Sequence, residues 1–328
     1  MKKKKVILSY DYELFFGDQS GTVWKSLIEP TNLLLNAMDN ARLRGNFFVD
    51  WQMLKYLRLE TDERAQSDYI AIVNQLKDMV RRGHRIELHI HPHWVDAKYN
   101  GDGTWNFDNF THYSLSSFSK EEITQMFTEG TELLTSIARE VKPDYKIVAF
   151  RAGGWAVQPF DLLKEGFEEN GIYIESSVGV GVHGKNLHSM YDFRGAPDKD
   201  VYHFEDDVCK EVVGGRYIEV PITCHQRLFI NKVFDKLTNI FTNRLAFITD
   251  GTHYRKEDEE LCVPVSRNAG NYMIGFRMCP INVVLYLFQL NRDIVCFLHH
   301  PKDQTKASVD CIRMIGLIAD SLCYNELK

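Results

Sequence analysis

Short apolar runs of strand length recur along this chain, and stretches with helical spacing separate them. That alternation limits the fold more than any other feature, because parallel strands need a crossover, usually a helix, between them. The runs are Lys5–Tyr10, Asn46–Asp50, His84–Ile90, Lys146–Phe150, Ile172–Ser176, Tyr217–Ile222 and Ile294–Leu298. Between the first two, Pro30 suits the first turn of a helix. Leu33, Leu34, Ala37 and Met38 then recur at helical spacing, and Gly45 follows the helix end. Further helices are expected over about 67–82, 120–140, before Gly171, and over about 281–290 and 307–323. Ser119 and Glu122 form a capping box for the second of these.

The pattern predicts one α/β domain over residues 1–328, a distorted barrel of seven or eight parallel β/α units, (β/α)7-8. Loop insertions are expected at about 95–118 and 226–275, the first placed to contact a substrate. An open, doubly wound sheet is the alternative architecture. No GxGxxG follows the first strand, so a dinucleotide site has no motif behind it.

Composition narrows the partners. The 328 residues are 44% hydrophobic and 26% charged, enough to bury a sizeable core. The net charge of −6 argues against nucleic acid bound by a general basic surface. The lysine-rich start is followed by an apolar run that stops at Asp11, too short for an export signal. No run approaches the roughly 20 apolar residues of a membrane span. Seven cysteines lie between Cys209 and Cys323 without a CxxC pair, which predicts reduced thiols and a cytoplasmic location rather than a cysteine zinc site.

In a parallel barrel the chemistry gathers at the carboxyl ends of the strands. Four of these ends carry reactive residue types: Asp11-Tyr12-Glu13, His89-Ile90-His91-Pro92-His93, Arg151-Ala152-Gly153-Gly154-Trp155 and His299-His300-Pro301. Neutral imidazole is the commonest metal ligand, so three histidines within five residues point to a metal. Pro92 biases His91 toward an extended shape. A turn after the strand is expected to bring His89 and His93 to one point, with His91 as a neighbour. Asp11 and Glu13, two apart on an extended strand, face one side and can divide metal binding from proton transfer. Arg151 can hold a carboxylate ionised. Only one of His299 and His300 should look into the site.

These motifs resemble those of the polysaccharide deacetylases of the NodB-homology type, carbohydrate esterase family 4. The likeness runs from Ser9-Tyr10-Asp11-Tyr12-Glu13 to His299-His300-Pro301-Lys302-Asp303, with four of the family's five motif regions in order. It implies Asp11 as base, with Glu13, His89 and His93 as ligands of Zn²⁺ or another divalent metal. It implies Arg151 as the residue that orients Asp11, and His300 as general acid, with His299 open by one register step. The proline of the family's Arg-x-Pro segment is absent, and the fourth, acidic motif is poorly matched, with Glu175 and Asp192 as candidates. The activity implied is removal of an N-acetyl group from a sugar or glycan intermediate. With no export signal, the branch implied is a cytoplasmic one, in O-antigen or capsule assembly. A backbone N–H near Trp155 is expected to help stabilise the oxyanion, and Trp94, Trp105 and Trp155 are candidates to stack on sugar faces. The rivals are an amidohydrolase-type barrel using His89 and His91, a non-catalytic sugar-binding barrel, and a scaffold with structural zinc.

Overall fold

β-Branched and aromatic runs bounded by turn residues form strands where both faces can be buried, and here they assemble into one curled sheet. The computed structural model describes residues 3–185, 188–256 and 271–327. Its main sheet has nine strands: β1 (Lys4–Tyr12), β2 (Gly45–Asp50), β3 (Arg85–Ile90), β4 (Ala149–Ala152), β5 (Ile174–Glu175), β6 (Tyr202–Phe204), β7 (Tyr217–Glu219), β8 (Ile294–His299) and β9 (Ala319–Ser321). Eight follow one another in the order β6-β7-β5-β4-β3-β2-β1-β8, and β9 pairs with the first residues of β1. All neighbours are parallel except β6 and β7. Beyond β7 the chain curls across to β8, where Thr223 N–H donates to Cys296 O at 2.9 Å and Thr223 Oγ1 accepts from Cys296 N–H at 3.0 Å.

Eight helices accompany the sheet among the described residues: α1 (Glu29–Asn40), α2 (Trp51–Leu59), α3 (Glu63–Arg81), α4 (Lys120–Arg139), α5 (Lys164–Asn170), α6 (Phe229–Thr242), α7 (Pro280–Gln289) and α8 (Lys306–Ile318). The expected Ser119–Glu122 capping box starts α4. Gly171, in the left-handed region at φ 64°, ends α5, a position that favours glycine. Helix α2 has no counterpart in the sequence reading; it begins directly after β2, with no loop residue to announce it. The antiparallel β6–β7 pair also breaks the uniform β/α repeat expected of the barrel. Of the expected insertion over 226–275, residues 257–270 lie outside the described residues, and so does Cys262. No helix among the described residues is long and apolar enough to cross a membrane.

Two apolar cores result. Leu8, Tyr10 and Tyr12 of β1, with Ile86, Leu88 and Ile90 of β3, face the helices in the larger core. Ile7, Phe48, Ala149, Ile174 and Cys296 face the inside of the curl, where Tyr324 and Leu327 from the C-terminal turn plug its amino-terminal end. Above that plug the inward positions become polar. Arg85 Nε lies 2.8 Å from Glu87 Oε1, both side chains buried, and Glu87 Oε2 accepts from Val148 N–H and Ala149 N–H at 2.9 and 3.0 Å. Removing one partner of such a pair strands a charge in the interior. Glu87→Ala should therefore destabilise the protein by about 3–5 kcal/mol, measured as a lower urea midpoint with an unchanged slope.

Candidate metal centre and catalytic site

The site continues the two-residue alternation of the strands past their carboxyl ends. Ser9, Asp11 and Glu13 stand on the inward side of β1, and Glu87, His89 and His91 on that of β3. Glu13 Oε2 lies 3.0 Å from His89 Nε2 and 2.6 Å from His91 Nε2. One ligand atom from each of these three buried residues falls within 4.8 Å of the others. His89 Nδ1 is 2.7 Å from Arg151 O, so that nitrogen is the donor and Nε2 is turned toward Glu13.

The sequence reading pairs His89 with His93; the structure pairs it with His91. Extended backbone at His91 (φ −110°, ψ 89°) carries the alternation one step beyond the strand, and the turn that opens at Pro92 then takes His93 away. The His93 ring is enclosed by Phe16, Phe107, Phe110 and Tyr113, with ring centroids 4.5 to 5.5 Å away. Neither of its nitrogens has a hydrogen-bond partner among the described residues. Burial, with His91 next, holds its pKa well below the usual histidine value, so the ring is neutral. Three of the enclosing rings come from the 95–118 insertion, which thus walls one side of the site.

Asp11 stands beside the cluster. Its Oδ1 accepts from Arg151 Nη1 at 2.6 Å, and its Oδ2 faces His300 Nε2 at 3.5 Å. Burial works to raise its carboxyl, but Arg151, His89 and His300 outweigh burial and hold it well below the usual range. Arg151 is fully buried. Its Nε donates to Ser176 O at 2.6 Å, and its Nη2 donates to Ser9 Oγ at 2.9 Å and Ser176 Oγ at 3.1 Å, while its guanidinium lies 4.2 Å from the Phe48 ring centre. Asp11 is the one acid among its hydrogen-bond partners in the described residues, and neither fourth-motif candidate is among them. Glu175 instead accepts from Ser177, and Asp192 pairs with Arg194 on the surface.

The adjacent histidines divide by face. His299 turns outward against Tyr10 and Phe276 and lies 3.2 Å from Gln304 Oε1. His300 turns inward, 3.6 Å from Glu13 Oε1, with Asp303 Oδ2 3.4 Å from its Nδ1. Burial lowers its pKa, yet Asp11 and Asp303 reverse this and push it up to about 10. Asp303 is in turn 2.5 Å from His253.

Sequence reasoning missed three further members of the site. Lys302 is buried, with Nζ 2.8 Å from both Glu13 Oε1 and Leu14 O, and 4.6 Å from the centre of the Phe16 ring. Asp50, at the end of β2, accepts from Trp94 Nε1 at 2.5 Å; burial pushes its carboxyl up to about 7, against the pull of His89. Asp303 is the third. None of these three carries a local signal in the sequence; the position of His91 does, since residues 87, 89 and 91 share a strand face. A divalent cation fits the donor set: a carboxylate oxygen and two imidazole nitrogens already meet, one ring is anchored through its far nitrogen, and His91 Nδ1 is buried without a hydrogen-bond partner among the described residues.

No model of a known protein family matches the chain, and no curated protein matches it. Solved structures similar to it include a putative polysaccharide deacetylase from Mycobacterium smegmatis, 14% identical, with a TM-score of 0.45 over 98% of this chain and 88% of that one. A peptidoglycan N-acetylglucosamine deacetylase is 17% identical, with a TM-score of 0.32 over 53% of this chain and 57% of that one. The 4-α-glucanotransferase of Thermococcus litoralis is 13% identical, with a TM-score of 0.52 over 99% of this chain and 40% of that one. This last likeness shows a shared fold, and the chain spans less than half of the glucanotransferase.

The ion-pair network around His300 has a pH signature. Its folded pKa of about 10 exceeds the unfolded value of about 6.5. The stability it contributes is therefore complete below about pH 6.5 and is lost as the pH rises through about 10. In chelator-treated protein, His300→Gln should flatten the fall in melting temperature between those limits. A variant whose melting temperature falls as steeply as that of wild type would show that His300 is not the group responsible.

Proposed function

We propose that the chain is a metal-dependent carbohydrate N-deacetylase that hydrolyses the acetamido group of a sugar or glycan intermediate. The observation that carries the reading is the meeting of Glu13, His89 and His91 beside a separately held Asp11. The motif order along the chain supports the family-level activity. Glu13 Oε2 and the Nε2 atoms of His89 and His91 would hold the cation, with His91 taking the role first expected of His93. A divalent cation bound there supplies a Lewis acid for the acetyl oxygen and lowers the pKa of a nearby water. Zinc is one of several metals that suit a carboxylate with two imidazoles.

The side chains provide the proton traffic. Asp11, kept ionised by Arg151, takes the proton from the attacking water. His300, which holds its proton through neutral pH, delivers it to the departing amine. Arg151, locked by Ser9 and Ser176, keeps Asp11 in place as charge develops. A backbone N–H in the turn at Gly153–Trp155 is the proposed oxyanion donor. The product class fits a step in surface polysaccharide assembly on a nucleotide- or lipid-linked sugar. The six described cysteines carry free thiols, in keeping with a reducing, cytoplasmic setting for that step.

One observation favours a second reading, a non-catalytic carbohydrate-binding barrel. The Lys302 ammonium already neutralises Glu13, and a cation of the protein's own can stand in for a metal. Elemental analysis separates the two: stoichiometric metal supports the enzyme, and a metal-free protein after growth with added zinc, cobalt or nickel supports the binder.

Two variants test the enzyme reading residue by residue. Asp11→Asn should retain metal and lose roughly 10²–10⁴ in turnover, the usual contribution of a general base, measured as acetate released from N-acetylated sugars. His91→Ala should lose the metal, while His93→Ala keeps it. Metal retained in His91→Ala and lost in His93→Ala would return the ligand role to His93.

A further inference from the structure

Helix α6 is built inside out. A helix on a globular protein normally turns its apolar stripe inward. Here the inward face is polar: Asn231 Nδ2 donates to Asn282 Oδ1 at 3.0 Å, and Asp235 Oδ1 accepts from Asn282 Nδ2 at 2.8 Å and from Cys279 N–H at 2.7 Å. Arg227 Nη2 closes the network on Asp235 Oδ2 at 2.6 Å. These bonds fasten α6 to α7 by its polar side. The opposite side carries Phe229, Ile230, Leu237, Ile240 and Phe241, and the two phenylalanines are 83% and 78% exposed. At 100° per residue these five positions fall in one arc of roughly 120°. Large rings stand at both ends of the helix, about 18 Å apart along its axis at 1.5 Å per residue.

The charge on this helix is one-sided. Its exposed ionisable residues are Lys232 and Lys236, which border the apolar arc on one flank. Neither is in an ion pair among the described residues. The only acid of the helix, Asp235, is spent on the inward network. The chain as a whole carries −6, so this cationic rim runs against the average of the molecule. A helix already fastened along one side cannot be enclosed by a groove; it offers a single face, which suits a plane. An apolar arc with aromatic ends and a lysine flank matches the interface of an anionic bilayer, where the rings reach the acyl boundary and the lysine stems reach back to headgroup phosphates. A second copy seated face to face would bring like charges together.

We propose that α6 docks the protein on the surface of an anionic phospholipid bilayer, lying in the interface without crossing it. The proposal is independent of the reading of the metal site, since none of its residues belongs to that site.

The test is co-sedimentation of the full-length protein as purified with vesicles of equal parts phosphatidylcholine and phosphatidylglycerol, and with vesicles of phosphatidylcholine alone. Binding to the anionic vesicles, weakened by salt, is expected to fall roughly tenfold or more in the triple variant Phe229→Ser, Ile240→Ser, Phe241→Ser and in Lys232→Glu with Lys236→Glu. Because the altered side chains are exposed, melting temperatures should stay at the wild-type value. Three outcomes would overturn the proposal. One is no difference between the two vesicle types, or between wild type and variants. The second is concentration-dependent self-association in sedimentation velocity that the triple variant abolishes, which would make the face an interface between copies. The third is a drop in melting temperature in the triple variant without vesicle binding by wild type, which would mean that another part of the chain covers the face.

Discussion

A buried arginine ties the structure to its chemistry. Arg151 spans the inside of the curl, reaching Asp11 and Ser9 on β1 and Ser176 after β5, and lying near Tyr324 of the C-terminal plug. A guanidinium can satisfy this many partners at once because its five donors point in fixed, coplanar directions. A lysine in its place would offer one point charge and could not hold β1, the β5 end and the plug in register together. The cost of burying the charge is offset by the ion pair with Asp11 and by neutral oxygens that satisfy the remaining N–H groups. Arg151 therefore orders both the fold and the Asp11 carboxylate of the candidate site.

The rest of the site is a balance of charge in a dry place. Asp11, Glu13 and Asp303 are held ionised, each against a cation or potential cation: Arg151, Lys302 and His300. Glu13 is contacted differently at its two oxygens, with Oε1 on the Lys302 ammonium and Oε2 on the two imidazoles. A carboxylate divided this way has one oxygen left to serve a metal. Asp50, close to this group but lacking a cation of its own, is pushed toward its neutral form. His93, fully enclosed by aromatic rings, is also kept neutral, and its place next to His91 shows how one residue of sequence separates a polar cluster from an apolar wall.

The two irregular segments do different work. Residues from the 95–118 stretch fold back onto the centre and supply Phe107, Phe110 and Tyr113 around His93. The segment after β7 instead leads outward to α6, whose polar side is consumed by hydrogen bonds and whose apolar side is left facing solvent. From there the chain returns to the site, where His253 meets Asp303. The same polypeptide thus links the unusual surface helix to the charge network of the candidate site.

The sequence by itself determined the strand-and-helix alternation, the grouping of reactive residues at strand ends, and the pairing of types, acid with arginine and acid with histidine. These are local properties: apolar periodicity and turn chemistry are written in neighbouring residues. The two-residue repeat of an extended strand also places His91 on the face of His89, whereas the turn at Pro92 is what carries His93 away from it. Only the tertiary structure decided the rest. Lys302 reaches Glu13 across 289 residues, and Tyr324 comes near Arg151 across 173. The antiparallel β6–β7 pair, the neutral supports of Arg151 and the inverted burial of α6 likewise follow from which surfaces meet when the sheet curls. Contacts between residues that far apart leave no local periodicity, because the chain brings them together only after its cores have closed.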